Sequence, residues 1–254
     1  MTMPLLSVNG VSVRFGGLRA VDNVDFTVGR GEIVGLIGPN GAGKTTTFNS
    51  LCGVVHTSSG SITFDGSDIT GLPPEQAAKR GIARTFQNVR LFGELSLRDN
   101  VMMGAYRSGA TGALASLVRF GAYNRHERRS AEQADRWLEA LGLSDHANTP
   151  ATVLPFGLQR VAEIARAMAS EPLLVLLDEP AAGLNEMEKH RLVVLLKKIV
   201  QDTSCSILLV EHNMPLVMGL VDRIVVLDFG RKIAEGSPDE IARNPAVIEA
   251  YLGA

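Results

Sequence analysis

The residues best suited to chemistry lie at positions 38–45, where the chain reads Gly-Pro-Asn-Gly-Ala-Gly-Lys-Thr. This spacing fits G-x-x-x-x-G-K-[ST], the pattern of a phosphate-binding loop (P-loop), between an apolar run and a helix-like segment. Its glycines let backbone N–H groups surround a phosphate, and Lys44 adds a full positive charge. The motif predicts nucleotide binding but leaves open which nucleotide binds. The predicted contacts are Gly38, Pro39, Asn40, Gly41, Ala42, Gly43, Lys44, Thr45 and Thr46.

A second candidate pair stands at Asp178 and Glu179, directly after the fully apolar run at 173–177. Such a run, bounded by turn signals, is typical of a buried parallel strand. Ligands of open α/β sheets bind at the carboxyl edge of the strands. Asp178 is therefore predicted to bind Mg²⁺ and Glu179 to orient or deprotonate a water, together with the Thr45 hydroxyl as a second Mg²⁺ ligand. The alternative is that both acids are structural caps.

Three further residues stand at the ends of predicted strands, and residue type alone gives them ordinary roles. The ring of Phe15 could stack on a purine, but a single aromatic at a strand end more often packs in a core. Gln87, taken alone, is a solvated loop residue. His212, taken alone, is a strand-end histidine with satisfied hydrogen bonds.

The elements that must position these residues alternate between strand-like and helix-like patterns. The N-terminal segments alternate apolar and polar side chains, which predicts an antiparallel strand group, whereas residues 97–143 are mostly helix-like. We therefore predict an α/β fold with a mixed sheet core, an N-terminal antiparallel β group and an inserted helical subdomain. The predicted bounds are a single domain over 1–254, with the core at 1–88 and 166–254 and the helical subdomain at 89–165.

Composition and charge narrow the function classes. The chain has 254 residues, of which 45% are hydrophobic, and a net charge of −2 that provides no broad basic field for nucleic acid. We read no signal peptide, and no window approaches the roughly 18 apolar residues of a spanning helix. We expect a soluble protein, or one attached to a membrane only through a partner. Cys52 and Cys205 lie far apart in apolar segments, which favours reduced core thiols.

Taken in order, these motifs resemble the ATPase subunits of ABC transporters over essentially the full chain. A P-loop is shared by kinases and GTPases, but the succession of P-loop, Gln87, segment 154–160, the acidic pair and His212 is far more specific. Within that family the chain is most similar to the branched-chain amino-acid importer ATPases. The segments that carry this closer similarity are Arg14-Phe-Gly-Gly-Leu, Arg84-Thr-Phe-Gln-Asn-Val-Arg-Leu-Phe, Ala181-Ala-Gly-Leu-Asn and Asn244-Pro-Ala-Val-Ile-Glu-Ala-Tyr-Leu-Gly.

The resemblance implies a P-loop NTPase fold, ATP with Mg²⁺, and roles that residue type left open. Phe15 would stack on adenine, Gln87 would link the γ-phosphate and Mg²⁺ to a membrane subunit, and His212 would contact the γ-phosphate. The implied catalytic residues are Glu179, His212 and Gln87. The implied metal ligands are Thr45, Gln87 and Asp178. The signature residues implied to bind the ATP of a partner cassette are Leu154, Phe156, Gly157 and Gln159.

The resemblance also implies partners. A second ABC ATPase subunit, identical or paralogous, would sandwich two ATP molecules with this chain. Transmembrane permease subunits would be coupled to the closing and reopening of the two cassettes. A solute-binding protein would take part indirectly, and no nucleic acid would. The chain would lie at the cytoplasmic face of the cell membrane, energising import of branched-chain amino acids or related small polar solutes such as urea and amides.

Three positions depart from the family pattern. The usual signature L-S-G-G-Q appears as Leu-Pro-Phe-Gly-Leu at 154–158. This change leaves open whether the segment can hold the γ-phosphate of the ATP bound by the partner cassette. Asn185 stands where an Asp is usual, which weakens polar contacts between subunits. Phe15 replaces the commoner Tyr, a mild change because a phenyl ring still offers a stacking face.

Other functions remain open at this point. The chain could be an ABC ATPase for a different transported substrate. A soluble P-loop kinase would leave segment 154–160 and His212 without a role. A non-transport ABC ATPase acting on DNA or ribosomes generally carries paired cassettes or long coiled-coil or basic inserts, and this chain has one cassette and no sustained heptads.

Overall fold

The computed structural model describes residues 3–87, 89–105 and 120–252, leaving out the side chains of 120–126 and 252. Two compact units make up the chain. The core unit is Met1–Arg84 with Leu173–Ala254, and the helical unit is Thr85–Pro172. The helical unit therefore begins and ends outside the 89–165 predicted for it, because its limits follow the flanking strands, which end at Arg84 and begin at Leu174. The grouping of both units into one domain stays a prediction.

Strands and helices alternate along most of the chain. The strands are β1 (Leu6–Phe15), β2 (Leu18–Val28), β3 (Ile33–Ile37), β4 (Ser59–Phe64), β5 (Ser67–Asp68), β6 (Ile82–Arg84), β7 (Leu174–Asp178), β8 (Ser206–Val210), β9 (Arg223–Asp228) and β10 (Arg231–Gly236). The helices are α1 (Lys44–Leu51), α2 (Pro74–Lys79), α3 (Leu97–Ala105), α4 (Phe120–Ala140), α5 (Phe156–Met168), α6 (Glu186–Thr203), α7 (Met214–Leu220), α8 (Pro238–Ala242) and α9 (Pro245–Leu252). Two 3₁₀ turns, Ser144–His146 and Ala151–Val153, precede α5.

The N-terminal strands form an antiparallel sheet in the order β2-β1-β4-β5. Gly16 and Gly17 connect β1 to β2, with Phe15 paired opposite Leu18. Gly16 has a φ of +58°, in the left-handed region that a two-residue hairpin loop needs. The predicted antiparallel β group is confirmed.

The second sheet of the core unit has the order β10-β9-β3-β8-β7-β6. The four strands β3, β8, β7 and β6 run parallel, β9 is parallel to β3, and β10 is antiparallel to β9. Every residue of β3, β7 and β8 is buried, which explains why these strands are apolar except for Ser206 at the start of β8 and Asp178 at the end of β7. Asp178 pairs with Val210, so β7 and β8 end at the same edge of the sheet. The mixed sheet core is confirmed.

The helical unit has its own apolar core. Side chains from α3, α4, α5 and the segment between α4 and α5 pack together, and the fully or nearly fully buried members include Leu97, Val101, Leu138, Leu143, Leu154 and Ala162. Part of the predicted helical stretch 97–143 lies outside the described residues. None of the described helices is long and apolar enough to cross a bilayer. The α/β class with an inserted helical segment is confirmed.

Candidate functional site

The P-loop connects β3 to α1 and depends on glycine at two close approaches. A Cβ on Gly43 would lie 2.5 Å from the Ala20 carbonyl oxygen, and φ is +96°. A Cβ on Gly38 would lie 2.0 Å from the Leu227 carbonyl oxygen. The P-loop is therefore held tightly between β2 and the end of β9, and a side chain at either glycine would displace backbone.

Lys44 begins α1 and is only 6% exposed. Its Nζ donates to the carbonyl oxygens of Gly38 at 2.7 Å and Pro39 at 2.8 Å. Burial lowers the pKa of Lys44 below its ordinary value, while the negative charges of Glu179 and Asp178 oppose that shift. The structure thus brings the P-loop cation into the electrostatic field of both strand-end acids.

Asp178 ends β7 and is held by an arginine that sequence analysis missed. Arg84 Nη2 donates to Asp178 Oδ2 at 2.9 Å, and Arg84 Nη1 donates to Asn49 Oδ1 at 2.6 Å. Both charged side chains are largely buried. Arg84 ends β6, the strand next to β7. That position beside an acid-bearing strand is the signal that could have identified it.

Glu179 and His212 meet beyond the ends of β7 and β8. His212 Nε2 lies 3.0 Å from Glu179 Oε1. The Glu179 N–H donates to the Val210 carbonyl oxygen at 2.9 Å, and Glu179 has a φ of +48°. A non-glycine residue in the left-handed region is held there by its surroundings, and such residues cluster at functional sites.

Phe15 is 51% exposed at the end of β1. Its hairpin also reaches the P-loop, because the Ala20 carbonyl oxygen of β2 faces Gly43 and Gly230. The Gly230 N–H in turn donates to Ala42 O at 3.1 Å. An exposed ring in this hairpin is available for stacking, in contrast to the core packing that is more usual for a single aromatic.

The other side of the P-loop faces α9. A cavity of about 410 Å³ is bounded by P-loop residues 39–42, by Phe229 and by Ala246, Glu249 and Ala250 of α9. Burial raises the pKa of Tyr251, and a hydrogen bond from the Gly38 N–H partly offsets this. The C-terminal helix is therefore a direct neighbour of the P-loop, which the sequence did not indicate.

Gln87 belongs to the helical unit, where its loop is held by buried charges on α5. Arg160 Nη2 donates to the Gln87 carbonyl oxygen, and Arg160 Nη1 donates to the Phe86 carbonyl oxygen at 3.0 Å. Glu163 Oε1 accepts from the N–H groups of Phe86 and Arg90, both at 3.4 Å. Burial raises the pKa of Glu163. The roles of Arg160 and Glu163 leave no signal in the sequence, where both look like surface residues of a helix.

The signature residues lie around the first turn of α5 in the helical unit. Pro155 is the N-cap, without a side-chain cap, and Phe156 is the first helical residue. Leu154 is buried, Phe156 is exposed, and the Arg160 guanidinium lies 5.3 Å from the centre of the Phe156 ring. Gln159 Nε2 donates to the Leu154 carbonyl oxygen at 2.8 Å. The segment thus presents a helix N-terminus, whose first N–H groups have no partner within the helix.

The oxygen donors of the core unit suit Mg²⁺ better than softer metals. They are the exposed Thr45 hydroxyl at the start of α1 and the Asp178 carboxylate. Within the described part of the chain, no group of three or more His, Cys, Asp and Glu side chains could hold a metal ion. Mg²⁺ commonly binds through one or two side chains and substrate phosphates, so this donor set fits Mg²⁺ bound with a nucleotide.

Comparisons with known sequences agree with this geometry. Residues 21–182 match the model of the ABC transporter family, and residues 231–254 match that of the branched-chain amino acid ATP-binding cassette transporters. The chain is 47% identical to the high-affinity branched-chain amino acid transport ATP-binding protein LivG of Salmonella typhimurium, over 100% of this chain and 99% of that protein. It is 46% identical to BraF of Pseudomonas aeruginosa, a protein of the same description, with the same coverage.

A solved structure shows the same fold. The ADP conformation of an ATP-binding cassette of an ABC transporter superposes with a TM-score of 0.87 at 30% identity, covering all of both chains. The resemblance drawn from the motifs is confirmed, as is the P-loop NTPase fold. The ABC transporter family match over residues 21–182 and the full-length relatives together establish that this chain belongs to the ABC transporter family, as a nucleotide-binding cassette with ATPase activity.

Proposed function

We propose that this chain energises import of branched-chain amino acids, or of related small polar solutes such as urea and amides. The observation that carries the proposal is its 46–47% full-length identity to ATP-binding proteins of high-affinity branched-chain amino acid transport. Residues 231–254, which include the C-terminal helix, match a family model of branched-chain amino acid cassettes, and this match also supports the proposal. An ABC ATPase for another transported substrate is the alternative.

In this proposal the P-loop binds the phosphates of ATP. Lys44 exchanges its hydrogen bonds with the Gly38 and Pro39 carbonyls for bonds to phosphate oxygens. Thr45, Asp178 and Gln87 would hold Mg²⁺, which would supply positive charge against the phosphates. Arg84 keeps the Asp178 carboxylate in place through its bond to Oδ2. Phe15 stacks on adenine from the exposed end of its hairpin.

Hydrolysis in this proposal depends on Glu179 and His212. Glu179 accepts a proton from the attacking water, and His212 holds the γ-phosphate. The 3.0 Å contact between the two side chains supports this assignment, because it lets the imidazole orient the carboxylate that acts as base. Gln87 would connect nucleotide state to the permease through its loop, which Arg160 holds from α5.

The partners follow from the same proposal. A second cassette, identical or paralogous, completes each ATP site with its signature, and this chain's Leu154, Phe156, Gly157 and Gln159 complete the partner's. Transmembrane permease subunits hold the assembly at the cytoplasmic face of the membrane, and a solute-binding protein delivers the solute to them. The solute would contact these other subunits, so no residue assigned above selects it.

The nucleotide role is tested with Lys44→Ala and Lys197→Ala. Lys197 is an exposed residue of α6 and serves as the matched control. We expect Lys44→Ala to lose ATP binding in a nucleotide titration, because the P-loop loses its own cation, and Lys197→Ala to bind as the wild type does. ATP binding by Lys44→Ala at wild-type affinity would contradict the proposal. Transfer of phosphate to a small acceptor, instead of release to water, would favour the kinase alternative.

The solute is tested in vesicles that contain the chain with its co-purifying permease. ATP-dependent uptake of leucine, isoleucine or valine is expected, and it should stop with Lys44→Ala. Uptake of urea or short amides without these amino acids would move the assignment to the related solutes. Uptake of neither class would overturn the substrate proposal without affecting the ATPase assignment.

A further inference from the structure

Glu211 is a buried carboxylate with no role among those assigned above. It follows the last residue of β8, directly before His212, and is 4% exposed. Among the ion pairs that join described residues, none includes Glu211. A buried carboxylate without a cation needs hydrogen-bond donors to offset its loss of hydration.

Three backbone N–H groups provide those bonds, and they come from two segments. Glu211 Oε1 accepts from the Ala181 N–H at 2.8 Å. Glu211 Oε2 accepts from the N–H groups of His212 at 3.0 Å and Asn213 at 3.2 Å. Ala181 is itself buried, two residues after Glu179 on the turn that leads from β7 to α6. One carboxylate therefore joins the segment that follows Glu179 to the segment that carries His212.

The turn after β7 needs such a restraint. Glu179 has a left-handed φ of +48°, which a residue with a side chain keeps only when its neighbours impose it. The Glu179 N–H is fixed to β8 through Val210 O at 2.9 Å. Glu211 fixes the same turn a second time, at Ala181. The turn is therefore fixed at Glu179 itself and again two residues later.

We propose that Glu211 is a positioning residue for the hydrolytic pair. Its two oxygens hold the turn at Ala181 and the backbone at His212 in one arrangement, so that the Glu179 carboxylate and the His212 imidazole stay in contact. Glu211 acts only through these two segments and touches no nucleotide. The catalytic part of this inference rests on the proposed function of Glu179 and His212.

The test compares Glu211→Gln and Glu211→Asp with the wild type. Glutamine keeps the size of the side chain, but its NH₂ group must face backbone N–H groups at one of the two oxygen positions, where a donor then meets a donor. We expect kcat for ATP hydrolysis to fall about tenfold to a hundredfold, the effect of losing a charge-assisted hydrogen bond. KM should change by less than about twofold, because the three bonds of Glu211 involve none of residues 38–46. Aspartate keeps the charge but is one methylene shorter, so its kcat should lie between the two.

A second readout does not depend on turnover. Hydrogen exchange of the Ala181 amide should be slow in the wild type and faster in Glu211→Gln. Both readouts use the chain assembled with its partner cassette and permease. If that wild-type assembly showed no ATPase activity, the proposed function would fail, and exchange at Ala181 would still test the restraint.

The matched control is Glu188→Gln. Glu188 Oε2 also accepts from a backbone N–H, that of Asn185 at 2.9 Å, but this exposed bond is local to the N-terminus of α6 and joins no second strand end. This variant should leave kcat and Ala181 exchange unchanged. Wild-type kcat and wild-type exchange in Glu211→Gln would overturn the inference. A parallel loss of kcat, nucleotide affinity and urea resistance would assign Glu211 a structural role only and would overturn it equally.

Discussion

The imidazole of His212 lies 3.0 Å from the carboxylate of Glu179, although 33 positions separate them in the sequence. The contact forms because β7 and β8 are adjacent parallel strands that end in register, Asp178 opposite Val210. Each strand delivers its functional side chain one or two residues beyond the same sheet edge. The geometry of the pair is therefore a property of strand register, and a shift by one residue would separate the two groups.

Replacing Glu179, the proposed base, should separate ATP binding from hydrolysis. In Glu179→Gln the amide keeps the shape of the carboxylate but cannot accept a proton, so we expect ATP binding to persist and kcat to fall by about 10²–10⁴. His212→Ala should reduce kcat as well, and the double variant should lose less than the sum of the two effects because the residues act together. Nucleotide titration and phosphate release measure both quantities. Near wild-type hydrolysis by Glu179→Gln would show that another group is the base.

Gly43→Ala should damage the P-loop sterically. The added Cβ would lie 2.5 Å from Ala20 O, so we expect the free energy of unfolding to fall by about 1–3 kcal/mol and ATP affinity to decrease. Gly66→Ala is the control, because Gly66 also has a positive φ, +73°, but no atom within 4 Å of the added Cβ. Urea unfolding of both variants separates backbone strain from the clash. Equal losses would show that the clash is relieved by movement of β2.

Arg160→Met should loosen the loop at residues 86–87. The substitution removes the donors to two carbonyl oxygens and leaves the buried Glu163 without one of its cations. We expect the free energy of unfolding to fall by about 3 kcal/mol or more, and proteolysis near Gln87 to accelerate. Arg128→Met is the control, because Arg128 forms an exposed pair with Glu132 whose loss costs under about 1 kcal/mol. Identical cleavage of both variants would count against this role of Arg160.

The two thiols should be inert and should make stability depend on alkaline pH. Burial raises the pKa of Cys52 to about 11 and that of Cys205 to about 12, from 9.0. Above pH 9.0 the folded state therefore keeps thiol protons that the unfolded state releases. Stability is complete below pH 9.0 and is lost as the pH rises toward 11 and 12. Urea midpoints should fall over this range, and less so in Cys52→Ala. Rapid alkylation of the native protein at pH 8 would contradict the burial.

The altered signature predicts two unequal ATP sites when the partner cassette is a paralogue. Pro155 stands where the family has serine, so the lost hydroxyl removes a hydrogen bond of about 1.5–3 kcal/mol, or roughly ten- to a hundredfold in rate. The helix N-terminus at Phe156 and Gly157 remains. The alternative is that these backbone groups suffice. To distinguish these two possibilities, the catalytic glutamate is replaced by glutamine first in this chain and then in the partner, and solute uptake into vesicles is measured for each. Glu179→Gln here should stop transport while the partner's substitution leaves much of it, and equal damage would refute the asymmetry.

Local patterns predicted most of the strands, the P-loop and the acids at the end of β7, because each depends on residues close together in the sequence. The restraints on the site were missed. Arg84 and Asp178 are 94 positions apart, and Arg160 and Gln87 are 73 apart. A buried arginine or glutamate carries no local signal that distinguishes it from a solvated one. The partner of Arg84 becomes visible only when β6 pairs with β7, and the partners of Arg160 only when the backbone at 86–87 packs against α5.

The strand order of the central sheet also determines when the P-loop can fold during synthesis. β3, which leads into the P-loop, is made early, but both of its neighbours, β8 and β9, come from residues 206–228. Tyr251, the neighbour of Gly38, follows later still. A nascent chain thus carries its phosphate-binding sequence without the two neighbouring strands until residues 206–228 have emerged from the ribosome. Because such long-range pairing is slow and leaves apolar strands unpaired, we expect the cassette to bind ATP only after residues 206–228 have been translated and have paired with β3.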